Sequence, residues 1–540
     1  MLRLSPVFAA VVLGACETAT PEPEAFQRGE QPAYEAQPAQ LRRLTYSQYV
    51  HTIDDLFGVG LVLPSVLEPD TRADGLYAVG ASVTSISSLG VERYEGAAYD
   101  IAEQVLADPT RRAALVECEP ADAVGADCAR EVLGAFGARA WRRPLDPAEL
   151  DTLVAVHEGA ATTLGSFDSG LTYAIAGVLQ SPYFLFRPEV GEDDGAGGRR
   201  LTGDELAARL SYFLWDGPPD AELAAAAADG SLLGDAGLEA QVDRMLADDK
   251  ARRGLRAFFS DMLHLDELDS LTKDPAVYVY MSSQLGPSAR EQTLLDLEAI
   301  VLDEDVDFRG FLTRTDTHLD RTLAALYDVA APAREGFGPA TLPGSLGRRG
   351  YLGQVSFLAL QAHATSTSVT RRGQYLREVL LCQDLPAPPA GLNTAIPEAT
   401  EDTPTMRDRV DQHNTDPTCA ACHKMMDPIG LGLENFDGVG RWRTTENGVE
   451  IDPSGDLDGA AFADAWDLGG VVAENAAFGG CVSDTLLQAA VGHVLAERED
   501  PLADWHADGL KESGYRVRWL LKDLVMGPAF RAVGSVEGVE

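Results

Sequence analysis

Cys419-Ala420-Ala421-Cys422-His423 sets two thiols three residues apart and an imidazole directly after the second. This is a C-x-x-C-H, in which two thiols form thioethers with the vinyl groups of haem and the adjacent imidazole reaches the iron as proximal ligand. With only 7 Cys in the chain and 9 His, chance would produce the pattern roughly 0.002 times. Three other chemistries use the same spacing. Zinc would need two further ligands from a distant Cys or His, since no second C-x-x-C and no H-x-x-x-H is present. A thioredoxin-like redox pair belongs after a strand, whereas Met406 to His413 reads as helix and the downstream pattern is loop-rich. A short-loop disulfide between Cys419 and Cys422 is the third. Haem c is the expected cofactor, attached by Cys419 and Cys422 and ligated by His423.

The flanks suit a haem crevice. Pro428-Ile429-Gly430 would turn the chain under the imidazole and offer a carbonyl to its second nitrogen. Phe436 and Trp442 would wall the porphyrin and Arg441 or Arg443 pair with propionates; ordinary core and solvated arginines are the equal alternative. Met425 and Met426 lie too close to His423 to reach the other face of the same iron and read as packing residues. For the distal position His363, in the polar stretch QAHATSTSVTRRG, is the favoured metal ligand. His413, Met406, Met526 and an open coordination position remain alternatives. Asp303-x-Asp305-x-Asp307 lacks the EF-hand glycine and glutamate, with Phe308 and Arg314 at those places. No hydrolase, P-loop or dinucleotide fingerprint is present.

These residues sit in an exported chain. Arg3 precedes a short apolar run ending at Leu13-Gly14-Ala15-Cys16, which resembles a bacterial lipobox. Cys16 is therefore the expected lipidation site, a plain secretory signal being the alternative. Residues 17–40, rich in Pro, Glu, Gln and Ala, read as a disordered tether that would hold the body on the order of 25–30 Å from the membrane. Export also favours haem, because c-type attachment takes place outside the cytoplasm. The 540 residues carry 43 Lys+Arg against 85 Asp+Glu, a net charge of −42. That excludes nucleic acid as an expected partner, since phosphate binding needs a basic footprint, and points to a basic redox protein partner at low salt.

The elements that must position the motif read as helices. Thr45 with Gln48 is a capping box ahead of Tyr49, Ile53, Leu56 and Phe57, and Gly58 ends that helix. Thr202 with Glu205 repeats the grammar ahead of Leu206, Leu210, Phe213 and Leu214. Helical periodicity recurs near 92–106, 127–139, 147–161, 168–180, 235–247, 250–264, 286–302, 371–382, 477–497 and 513–525. Strand alternation is scarce, so the fold class is mainly α, with several small helical modules in tandem. Linker-like composition at Gly191–Gly198, Ala330–Gly350 and Pro386–Pro404 sets breaks near 195, 340 and 400.

Several long segments resemble one family. They are RRLTYSQYVHTIDDLFG (42–58), FGARAWRRPLD (136–146), SPYFLFRPE (181–189), LTGDELAARLSYFLWDGPPDAEL (201–223), RRGQYLREVLLCQDLPAPP (371–389) and, most specific, CAACHKMMDPIGLGLENFDGVGRWR (419–443). Together they are similar to the planctomycete-type multi-domain bacterial proteins of unknown function that end in a cytochrome-c-like module. The resemblance implies an N-terminal helical module (41–115), a second (116–195), a central one (196–340), the cytochrome-c-like haem module (341–445) and a C-terminal one (446–540), behind the signal (1–16) and the tether. It also implies disulfides Cys118–Cys128 and Cys382–Cys481, although sequence cannot fix connectivity and buried free thiols are the alternative. With Cys16 lipidated and two haem thioethers, no thiol of the seven would be left over. The chain departs from the family at Ser368-Val369, where Ser-Pro is common, and at His493, often Arg, which adds a minor distal-ligand candidate.

The expected protein is a lipid-anchored c-type cytochrome of the cell envelope, in the periplasm or on the outer surface, passing single electrons. A structural or ligand-binding surface protein with a degenerate haem module, and a haem-dependent oxidoreductase, are the alternatives.

Overall fold

Thr45 accepts from the Gln48 backbone N–H while the Gln48 side chain returns to the Thr45 N–H, so the capping box read from the sequence starts the helix Tyr46–Phe57. The same reciprocal cap at Thr202 and Glu205 starts Gly203–Trp215. This is a computed structural model, and it describes residues 29–535 except 66, 196–197, 387–395, 414 and 416. The expected signal, Cys16 and most of the tether lie outside the described residues, as do the side chains of Cys419 and His413.

The chain is mainly α. Among the described residues the strands form only two-stranded antiparallel pairs. Helices Ser88–Ala107, Ala126–Trp141, Pro147–Leu164 and Phe167–Leu179 join Tyr46–Phe57 around an N-terminal core that includes Tyr49, Ile101, Leu133, Phe136 and Leu171. Strand Gln40–Arg43 closes it against Phe186–Glu189, with Arg42 opposite Arg187. A second, larger core runs from Leu201 to Val533 and takes in Trp215, Phe259, Tyr351, Phe436 and Phe530. Val369, Met406, Val410 and Leu431 form a small third cluster.

Several elements lacked a periodic signal. Ala221–Ala228 is almost all alanine, so it has no apolar stripe to find, and Asp220 caps it through the Leu223 N–H. Asp500–Glu512 begins on an acidic, Pro-containing turn that masks its buried face of Leu502, His506 and Leu510. The tether needs correcting over 29–39. Tyr34 packs on the larger core, Gln37 Nε2 donates to Glu499 at 2.9 Å, and Ala39 and Gly534 exchange backbone bonds across this stretch with Ser535 and Gln37. One aromatic side chain and a run of backbone partners are enough to order it.

Both expected disulfides form, Cys118–Cys128 and Cys382–Cys481. The second spans 99 residues and ties the segment leading toward the C-x-x-C-H to the helix Ala476–Val491. Closing so long a loop restricts the unfolded chain most, so the Cys382→Ser, Cys481→Ser double variant should lose about 2–5 kcal/mol. Urea unfolding of the oxidised wild type beside the variant measures it, and equal midpoints would refute it.

Asp484, on that same helix, is pushed up to about 6 by burial and by Asp504 and Asp500. A carboxyl raised in the fold binds protons that the unfolded chain releases, so stability falls as pH rises from about 4 to about 6. Asp484→Asn should flatten that decline and stabilise the protein by about 1–3 kcal/mol above pH 6. Thermal unfolding of both chains between pH 4 and 8 supplies the comparison.

Candidate functional site

The C-x-x-C-H occupies the start of a helix, Pro417–Leu431. Residues three and four apart share a helix face, so positions 419, 422 and 423 fall on one face of this helix. Cys422 is a partly buried free thiol, its Sγ 3.9 Å from the Pro386 carbonyl. The helix passes through Pro428 to Leu431, so Pro428-Ile429-Gly430 does not make the expected turn. His423 Nδ1 instead sits 2.8 Å from Asp427 Oδ2, one helical turn on. Thr370 donates to the other Asp427 oxygen at 2.8 Å and lies 3.5 Å from His423 Nδ1.

Asp427 is almost fully buried, with 1% of its side chain exposed. Its hydrogen bond is the main cause that holds the His423 imidazole above its ordinary pKa, against burial. A carboxylate on Nδ1 fixes the tautomer and makes the ring a more basic ligand through Nε2.

Thr370 reaches this pair because two helices touch backbone to backbone. The helix Val369–Tyr375 crosses Pro417–Leu431 where a Cβ on Gly373 would meet the Met426 carbonyl at 2.0 Å, and one on Gly430 the Val369 carbonyl at 1.9 Å. Neither neighbour is a side chain that can give way, so both positions require glycine. Arg372, wholly buried, then donates to the carbonyls of Leu433, Phe436 and Asp437 and pairs with Glu434. Arg377 donates to the Met425 carbonyl at 2.6 Å and to Asp458.

The other sequence candidates go elsewhere. Phe436 is in the larger core, edge-on to Trp442 and under the Arg348 guanidinium. Arg443 is paired with Glu434 at 2.7 Å, and Arg441 lies over the Tyr280 ring. These four side chains are thus engaged in packing and ion pairing, the alternative weighed equally with a haem crevice. Met406 is buried in the small third cluster, Met526 packs on the larger core, and His493 is 2.9 Å from Glu499. His363 is exposed on the turn closed by the Ala362–Thr367 bridge, where Lys273 holds its carbonyl. Asp427 and Thr370 were missed. The i, i+4 spacing of His423 and Asp427 was legible once the helix is known to continue through Pro428, while Thr370, 53 residues upstream, left no local signal.

The donor set fits a c-type haem: a free thiol beside an imidazole whose far nitrogen is oriented by a buried carboxylate. Among the described residues no group of three or more His, Cys, Asp or Glu side chains is arranged to hold a metal ion, and no helix is long and apolar enough to cross a membrane.

No curated protein and no solved structure matches the chain. Family models do match, each described as a protein of unknown function. The helix with the C-x-x-C-H falls within PSCyt3 (DUF1588), matched at 348–446. Consecutive segments of the chain are thus similar to PSD3 (DUF1587) at 42–107, PSD5 (DUF1595) at 128–189, PSD4 (DUF1592) at 201–329 and, last, PSCyt3.

Proposed function

We propose that the protein is a lipid-anchored c-type cytochrome of the cell envelope that passes single electrons. The observation that supports this most is the His423–Asp427 pair behind the C-x-x-C-H, because a ligand imidazole needs its other nitrogen held. Haem c, joined through Cys419 and Cys422 and ligated by His423, would supply a one-electron couple. The protein's own part is to fix the imidazole through Asp427 and Thr370 and to brace the helix through Arg372 and Arg377. Transfer is favoured over substrate chemistry at the haem by one feature. A large cleft is lined by residues between 42 and 294 together with Ala489, none of them from the segment 348–446. With a net charge of −42, the protein would draw a basic redox partner.

The wild-type chain, expressed with a c-type maturation system, should give a haem-stained band on a denaturing gel and a reduced c-type spectrum. A folded protein without covalent haem would overturn the reading and leave the structural or ligand-binding alternative. Cys16→Ser should move the protein from the membrane pellet to the soluble fraction of fractionated cells; unchanged pelleting would sink the lipid anchor.

A further inference from the structure

We propose that the cleft between the N-terminal core and the larger core binds a small organic anion, whose oxyanion, a carboxylate or a phosphate, seats on Arg187. The cleft measures about 1020 Å³, a size that encloses a small molecule. Arg42, Arg187 and Arg209 line it, and with Arg142, buried behind them against Tyr212, they make four guanidiniums at most 8% exposed beside one buried carboxylate, Glu189. Burial raises the Glu189 carboxyl, but Arg209 and Arg42 outweigh it and take the group down to about 2, so it is ionised. One negative charge among four positive ones leaves an excess that is costly to bury.

Three of the four arginines have fixed partners. Arg42 donates to the carbonyls of Ala489 and Ala490, Arg209 to Glu189 and the Phe530 carbonyl, and Arg142 to the carbonyls of Tyr183, Phe184 and Phe186. Arg187 differs. It is 3% exposed, its Nε has no hydrogen-bond partner, and its side chain makes no hydrogen bond or ion pair with a described residue. Its guanidinium lies 4.7 Å from the centre of the Tyr212 ring, which supports a cation but satisfies none of its N–H groups. Burial and the neighbouring Arg42 push it down to about 9. The carboxylates that line the same cleft are engaged: Asp70 with Arg43, Asp216 with His51, Asp261 and Asp266 with Arg72, Asp269 with Arg290 and Glu291 with Arg256. A guanidinium fork suits a carboxylate or a phosphate, and either would supply both the missing acceptors and the missing charge.

The test uses the full-length protein. Sodium acetate, citrate, phosphate and sulfate are titrated against sodium chloride of matched ionic strength, followed by intrinsic fluorescence and thermal unfolding. At least one oxyanion should bind saturably and raise the unfolding temperature, with citrate separating an organic from an inorganic preference. Arg187→Met should weaken that binding by about tenfold to a hundredfold, yet unfold no earlier than the wild type in chloride, because it removes a buried guanidinium that makes no hydrogen bond and is repelled by Arg42. Arg187→Lys, which keeps the charge without the fork, should bind with intermediate affinity and carries the test if the methionine variant does not fold. Arg130→Met, on an exposed arginine paired with Asp151, should bind as wild type. Absence of a saturable response to all four oxyanions, or equal affinity in the wild type and both Arg187 variants, would overturn the proposal.

Discussion

Passed through c-type maturation beside the wild type, the Cys419→Ala, Cys422→Ala chain is expected to show no haem stain on a denaturing gel and no reduced c-type spectrum. The effect should be all or none, because a thioether is a covalent bond that denaturant does not break and the two thiols are its only source at this site. Folding should survive, since both substitutions are small and Cys422 is unpaired in the fold. Circular dichroism of the variant at wild-type strength therefore separates loss of attachment from loss of structure. His423→Ala tests a different link. With both thiols intact it should retain some stain but lose the ligand, shifting the absolute spectrum. Asp427→Asn should keep stain and ligand and raise the reduction potential, because a neutral amide on Nδ1 makes a less basic imidazole than a carboxylate does. Equal staining of the double variant and the wild type would refute thioether attachment at Cys419 and Cys422.

Arg372→Met should be the most destabilising single change around the site, by about 3–5 kcal/mol. Arg372 is wholly buried and gathers three carbonyls from the turn after the motif helix. Its removal orphans those acceptors and strips one of two guanidiniums from Glu434, which is itself buried and keeps only Arg443 at 2.7 Å. Burial, the largest influence on the Glu434 carboxyl, already raises its pKa despite both arginines. Losing one of them leaves a charge that must be neutralised or exposed. Glu434→Gln in the Arg372→Met background should recover part of the loss, as expected when an unpaired buried charge and not lost packing dominates. Urea unfolding of the wild type, both single variants and the double variant gives the coupling, and additive losses would contradict this account.

The sequence was most informative where the physics is local. A capping box closes within three residues, so Thr45–Gln48 and Thr202–Glu205 announced their helices. Amphipathic spacing likewise announced Ser88–Ala107 and Asp235–Leu246. It was weak where a local rule competes with a distant partner. Pro428 reads as a turn because it lacks an N–H and crowds the preceding carbonyl, yet here it stays helical while the helix is held from outside by Gly373, Arg377 and Thr370. The partner of His423 was mistaken for a carbonyl for that reason. Phe436 and Trp442 pack against each other and Arg443 pairs with Glu434, partners that local spacing does not show.

By itself the sequence determined the mainly helical class, the thiol-thiol-imidazole grouping and an acidic balance that disfavours nucleic acid, because each follows from composition or from spacing within a turn or two. Only the tertiary structure decided that Thr370 and Asp427 meet His423, that two glycines let their helices touch, and that Arg187 stands buried with its Nε unpartnered. Those facts depend on which distant segments fill the same space, and no local propensity encodes that.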